Sequence, residues 1–252
     1  MVSPLLNQPG LENIKLIISY DGTEYHGWQR QPGMKTIQET IEEAIQKITQ
    51  EKINLQAAGR TDAGVHALGQ VANFKTGSHL PEAELLKALN ALLPPDIRIW
   101  SVEKVPPSFH ARKSAKTKIY RYRIKISPLI SPFDYRYVFH FPYPLDLEAM
   151  QIAAGLFVRE DDFSAFSSNR FRNPVRKVVR SELRFEKEEI IYTIEANGFL
   201  HHMVRTIVGT ILMVGRKKIK PDDIGQLFLG KKRTLFSPTV PAKGLCLVEV
   251  IY

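Results

Sequence analysis

Val178-Val179-Arg180-Ser181-Glu182-Leu183-Arg184-Phe185, an acidic turn over Glu186 to Glu189, and Ile190-Ile191-Tyr192-Thr193-Ile194-Glu195-Ala196-Asn197 decide the fold class. Side chains on a strand point alternately to opposite faces, so two alternating runs around a short polar turn read as an antiparallel hairpin. Upstream, Leu147 to Phe157 reads as a helix after a proline-rich passage (Pro128, Pro132, Pro142, Pro144). Downstream, Phe199 to Val214 reads as a long amphipathic helix, with Phe199, Met203, Ile207 and Ile211 at four-residue spacing. Leu245 to Ile251 forms a last strand. Lys118 to Ile126 is the clearest strand of all: Tyr120, Tyr122, Ile124 and Ile126 face one way and Arg121, Arg123 and Lys125 the other.

The first half supplies strands at Asn13 to Tyr20, Val65 to Phe74 and Ile97 to Val105, with helices between them. Thr36 is placed as an N-cap with Glu39 three residues on, a capping-box spacing, and Ile37, Ile41, Ala44, Ile45 and Ile48 form an apolar stripe behind it. A second helix, Glu82 to Leu92, is stopped by Pro94-Pro95. Strands and helices mix without strict βαβ alternation. That predicts an α+β chain with antiparallel sheets covered by helices, in preference to a doubly wound fold. The order of elements in the second half roughly echoes the first. Two similar domains are expected, residues 1–110 and 111–252.

The 252 residues suit two modest domains, and 44% hydrophobic content supplies ordinary cores. No stretch approaches the roughly twenty apolar residues of a membrane span. Met1 to Gly10 lacks the basic start and apolar run of a signal peptide. Cys246 is the only cysteine, which excludes a disulfide framework and a cysteine-rich zinc site. These features predict a soluble, cytoplasmic protein. The formal net charge of +9 is clustered: Ala111 to Ile126 carries seven basic residues and no acid, and Ser168 to Arg184 carries six against Glu182 alone. Cationic clusters with aromatics among them, here Tyr120 and Tyr122, fit a polyanion such as nucleic acid, because each phosphate neutralised releases counterions.

The phosphate-cradling loop of nucleotide hydrolases, the dinucleotide fingerprint, the zinc-deaminase signature and the serine elbow are all missing. No cofactor and no metal are therefore expected. What remains is Ala57-Ala58-Gly59-Arg60-Thr61-Asp62-Ala63-Gly64-Val65-His66-Ala67. A carboxylate held on such a glycine-bracketed loop can act as nucleophile or base. Composition alone favours a tight turn in which Asp62 caps a neighbouring N–H, Arg60 is solvated and His66 is a packed or hydrogen-bonded histidine, because Asp is common in turns.

The block Gly59 to Phe74 closely resembles the catalytic motif of the TruA family of tRNA pseudouridine synthases. The similarity runs along almost the whole chain: Tyr20-Asp21-Gly22-Thr23, Gly27-Trp28-Gln29-Arg30-Gln31, Ser108-Phe109-His110-Ala111-Arg112, Lys118 to Tyr122, Asp162 to Phe166, Asn197 to Arg205 and Ala242 to Val248. The departures are a leader of about a dozen residues and an end directly after the last strand. The resemblance implies the pseudouridine synthase fold, with an active-site cleft between the two domains. It also implies isomerisation of uridines 38, 39 and 40 in the tRNA anticodon stem-loop, a homodimer, and no cofactor. It makes Asp62 the essential aspartate, Tyr120 the tyrosine that stacks on the target base, and Arg205 the partner of the carboxylate. Arg60 becomes the residue that enters the space left by the everted nucleotide, and Leu245 the apolar residue beneath the base. Arg121 and Arg123, in the basic block, are expected to contact tRNA. A non-catalytic tRNA-binding or RNA-folding protein on the same scaffold, and an RNA glycosidase that stops after bond cleavage, are the alternatives.

Overall fold

Short apolar runs separated by amphipathic helices fold here into two units, Met1–Ala115 and Lys116–Tyr252. The computed structural model describes residues 10–252, so most of the leader, and with it the reading of Met1 to Gly10, lies outside the described residues.

The first unit carries β1 (Glu12–Tyr20), α1 (Ile37–Thr49), β2 (Gln56–Ala57), β3 (His66–Thr76), α2 (Glu82–Leu92) and β4 (Ile97–Val105). Its strands run in the order β4-β1-β3, all antiparallel, with β2 paired to β3. Alternation along β1 sends Ile14, Leu16 and Ile18 into a core shared with Phe74, Ile97 and Ile99 from the strands and Ile41, Ile45, Leu85 and Leu89 from the helices. A register shift between Ile18 and Tyr20 re-aims the end of β1. The capping spacing is realised, since Thr36 Oγ1 accepts the Glu39 N–H at 3.4 Å. The Glu39 carboxylate instead pairs with Arg30 at 3.2 Å. Ile48 is only half-buried, while Gln38 and Glu42 are buried on the same stripe because Glu42 accepts from Gln38 Nε2 and from the Leu55 N–H, both at 2.9 Å. A second buried amide pair holds the segment after β4. Asn13 donates to the carbonyls of Pro106 and Phe109, and Asn73 accepts the Ala111 N–H at 2.8 Å.

The second unit carries β5 (Thr117–Lys125), β6 (Phe139–His140), α3 (Leu147–Gly155), β7 (Glu160–Asp162), β8 (Val175–Glu186), β9 (Glu189–Ala196), α4 (Met203–Gly215), α5 (Asp223–Gly230) and β10 (Leu245–Ile251). The sheet order is β10-β5-β9-β8-β7, antiparallel throughout, with the short β6 parallel to β5. The hairpin is β8-β9. Its strands reach Glu186 and Glu189, which pair, so the turn is only Lys187-Glu188, with Lys187 at φ 55°. One expectation is corrected: α4 starts at Met203, not at Phe199. His202 sits at φ 62°, a left-handed conformation that no helix continues through. Phe199 therefore lies outside the helix, while Met203, Ile207 and Ile211 keep the buried stripe. The eight-residue α5 escaped the sequence reading, being two turns long with Gly225 inside it. Among the described residues no helix is long and apolar enough to cross a membrane.

Candidate active site

In the first unit the turn between β2 and β3 presents Arg60 and Asp62. Ala58 N–H donates to the Val71 carbonyl at 2.7 Å, and Val65 N–H to the Asp62 carbonyl at 3.1 Å, closing a turn in which Gly64 takes φ +75°. Within the turn Thr61 is buried, while Arg60 is exposed and Asp62 half-buried. A second segment, residues 22–28, is laid against this turn. Trp28 N–H donates to the Thr61 carbonyl at 3.0 Å, and Gly64 N–H to the Tyr25 carbonyl at 3.3 Å. Gly27, at φ +87°, is so close that a Cβ there would stand 2.7 Å from the Thr61 carbonyl oxygen and 3.0 Å from the Asp62 carbonyl carbon. Only glycine meets both demands. His66 is buried, and its Nδ1 lies 3.1 Å from the Gly22 N–H nitrogen and 3.1 Å from Asp21 Oδ1. It is a hydrogen-bonded histidine at the base of the turn.

In the second unit the side chains come from regular elements. Tyr120 faces inward from β5, opposite Leu247 of β10 and Ile194 of β9, with the Phe199 ring edge-on at 5.0 Å. Two residues on, and on the same face, Tyr122 is fully buried and donates its hydroxyl to the Pro241 carbonyl at 2.7 Å. Burial holds the Tyr122 phenol well above its ordinary pKa, with the nearby Arg205 charge pulling it down less strongly, so it stays a neutral donor. Arg205, in the first turn of α4, donates from Nε to the Val240 carbonyl at 2.7 Å. Leu245, buried, pairs in register with Tyr122. Arg205, Tyr122 and Leu245 are thus gathered around residues 240–245, a strap that leads into β10. Tyr120 and Tyr122, read from the sequence as aromatics of the cationic block that would favour nucleic acid if exposed, are both buried, because both take the inward parity of β5.

Arg121 and Arg123 lie on the other face of β5 from Tyr120. Arg121 is exposed. Arg123 forms a two-pronged pair with Glu189 through Nε–Oε1 and, at 3.0 Å, Nη2–Oε2, which favours its charged form. Of the cationic clusters, Arg112, Lys113, Arg170 and Arg172 are exposed, with the exposed Phe171 between the last two. Arg180 and Arg184 both pair with Glu182. Arg233 reaches Ser168 Oγ at 3.0 Å and Thr239 Oγ1 at 2.9 Å.

A family model described as tRNA pseudouridine synthase matches residues 16–112 and 153–252, which take in the Asp62 turn, α4 and β10. The chain belongs to the tRNA pseudouridine synthase family. The tRNA pseudouridine synthase A of Caldicellulosiruptor bescii is 48% identical over 244 residues, covering 96% of this chain and 100% of that protein. That of Acetivibrio thermocellus is also 48% identical, with the same coverage. That of Thermodesulfovibrio yellowstonii is 44% identical over 252 residues, covering 95% of this chain and 99% of its own. Among solved structures, one titled as a crystal structure of a Cbf5-Nop10-Gar1 complex covers 79% of this chain and 53% of its own, at 12% identity and a TM-score of 0.32. The α+β architecture of this family member is that of the pseudouridine synthase fold.

Proposed function

We propose that this protein is a cytoplasmic, homodimeric tRNA pseudouridine synthase that converts uridines 38, 39 and 40 of the anticodon stem-loop, with Asp62 as the reacting carboxylate. The observation that carries the reading is family membership over nearly the full chain, with the Arg60-Thr61-Asp62 turn inside the matched region. The reaction is an isomerisation. The N1–C1′ bond breaks, the base turns, a C5–C1′ bond forms, C5 gives up a proton and N1 gains one. No redox partner or group donor is required.

An ionised carboxylate suits this chemistry because it can attack C1′ or C6, or take a proton from C2′ to form a glycal, and it stabilises cationic character developing at C1′. Tyr120 stacks on the everted base, and its hydroxyl takes part in the C5 proton transfer, passing its own proton on as it accepts the one from C5. Arg205 pairs with the carboxylate and orients it, its guanidinium steadied by the Val240 carbonyl. Arg60 fills the gap in the stack, offsetting the few kcal/mol that everting a base costs. Leu245 supports the base from below. The exposed Arg121 and the other exposed cations, with a smaller share from the half-buried, Glu189-paired Arg123, hold the sugar-phosphate backbone, which suits an enzyme that must reach three neighbouring uridines by shape and not by base-edge readout.

The test is incubation with unmodified tRNA transcript, followed by carbodiimide adduct formation and mapping of reverse-transcription stops. The wild type is expected to give stops at 38, 39 and 40. Asp62→Asn is expected to fold and bind tRNA while losing product by at least about a thousandfold. Substantial product from Asp62→Asn refutes the catalytic assignment, and free uracil with abasic tRNA would mark a glycosidase. Deuterium at C2′ slows the reaction only if that proton is abstracted.

A further inference from the structure

We infer that Tyr20, Thr61 and Gln70 form a buried polar clamp that positions the Asp62 carboxylate, and that they are positioning residues for the reaction. The inference rests on the proposed role of Asp62. Tyr20 Oη and Thr61 Oγ1 are 2.8 Å apart, both side chains buried. Gln70, fully buried on β3, donates from Nε2 to the Gly59 carbonyl at 2.8 Å and more distantly to Tyr20 Oη at 3.4 Å. One buried amide thus ties the residue before Arg60 to the hydroxyl that grips the residue before Asp62.

Thr61 is the only residue of the Arg60-Thr61-Asp62 triplet turned inward. Its neighbours are exposed and half-buried, so the rotation of Thr61 about the backbone sets the direction of both. Two of its three polar groups are fixed, the hydroxyl by Tyr20 and the carbonyl by the Trp28 N–H at 3.0 Å. Tyr20 is anchored in turn, because it ends β1 just past the register shift and its ring lies 6.0 Å from that of the buried Trp28. Apolar packing alone would hold this turn only loosely, since hydrophobic contacts are non-directional. Directional hydrogen bonds in a low-dielectric interior restrict the rotation that matters. A reacting carboxylate displaced by about 1 Å can lose on the order of a hundredfold in rate.

The experiment compares single-turnover rate and tRNA affinity for wild type, Tyr20→Phe, Thr61→Val and Thr61→Ser, each with its unfolding midpoint. Tyr20→Phe keeps the ring and removes only the hydroxyl, and Thr61→Ser keeps the hydroxyl and removes only the methyl. The expected result is a fall in the chemical rate of about ten- to a hundredfold for Tyr20→Phe and Thr61→Val. At a temperature well below both midpoints, tRNA affinity should fall less than the chemical rate, any loss coming through Arg60, and Thr61→Ser should restore the rate. The double variant Tyr20→Phe with Thr61→Val should be no slower than Tyr20→Phe alone, because both changes remove the Tyr20–Thr61 bond and Tyr20→Phe removes the longer Gln70 bond as well. Wild-type rates in both singles, or equal losses in Thr61→Val and Thr61→Ser, overturn the clamp while leaving the proposed function standing. A wild type that makes no pseudouridine overturns that function, and the clamp falls with it.

Discussion

The Asp62 turn and the strap at residues 240–245 carry side chains of comparable importance to the proposed chemistry, yet they are built by opposite means. The turn has almost no regular structure of its own. Backbone donors from residues 22–28, a glycine at positive φ and a buried hydroxyl pair hold it in place. Around the strap, Tyr120 and Tyr122 come from the middle of β5, Arg205 from the first turn of α4, and Leu245 from the start of β10. There the periodicity of the elements does the placing, and the hydrogen bonds run outward from side chains to the strap's carbonyls. A carboxylate on a turn can be approached closely by a substrate, but it needs external polar restraints. Side chains on strands and helices inherit their direction from the ladder.

The comparison breaks most severely at Gly27. Gly27→Ala adds a left-handed penalty to a collision with the Asp62 turn, and we expect a loss of about 2–5 kcal/mol on denaturant unfolding. Gly33→Ala, also at positive φ but with open space around it, carries only the conformational part, about 1–2 kcal/mol. Equal losses in the two would show that residues 22–28 do not press on the turn. On the other side, Tyr122→Phe leaves the Pro241 carbonyl without its donor and should cost about 1–3 kcal/mol, read from the same unfolding curves. The smallest effect sharpens the difference between the two faces of β5. Arg121→Ala should lower the salt slope of tRNA binding by about one. Arg123→Ala should lower it less, because Glu189 already neutralises that guanidinium. Slopes unchanged from wild type in both variants would place the RNA away from this face.

Much of the fold was legible one element at a time. The bounds of α2, β4 and β10 follow from Pro94-Pro95, from turn residues and from short apolar runs, all of which act locally. The hairpin β8-β9 was legible because period-two alternation on both sides of a charged turn has few other readings. The start of α4 was not. The spacing from Phe199 onward is helical, but His202 in a left-handed conformation breaks the ladder, and Phe199 packs against Tyr120 instead. The two-residue strands β2 and β6 have no pattern to detect; β2 pairs with Ala72 and Asn73 of β3, and β6 with Ile124 and Lys125 of β5, beyond the Tyr122–Leu245 end of the β10 ladder.

Of the candidate site, the sequence by itself determined the chemistry on offer: an arginine and an aspartate two apart between glycines, a strand with one aromatic and one cationic face, and a single cysteine, too few for a cysteine-rich zinc site. Alternation along a chain and turn preference are local properties, so they can be read without a structure. Only the tertiary structure decided that Thr61 is the inward member of its triplet, that Tyr20 and Gln70 reach it, that Tyr122 and Arg205 grip the same strap, and that Arg123 is spoken for by Glu189. Each of these joins residues far apart in sequence through hydrogen bonds a few ångströms long. Such bonds depend on where packing brings the backbone, which no local pattern encodes.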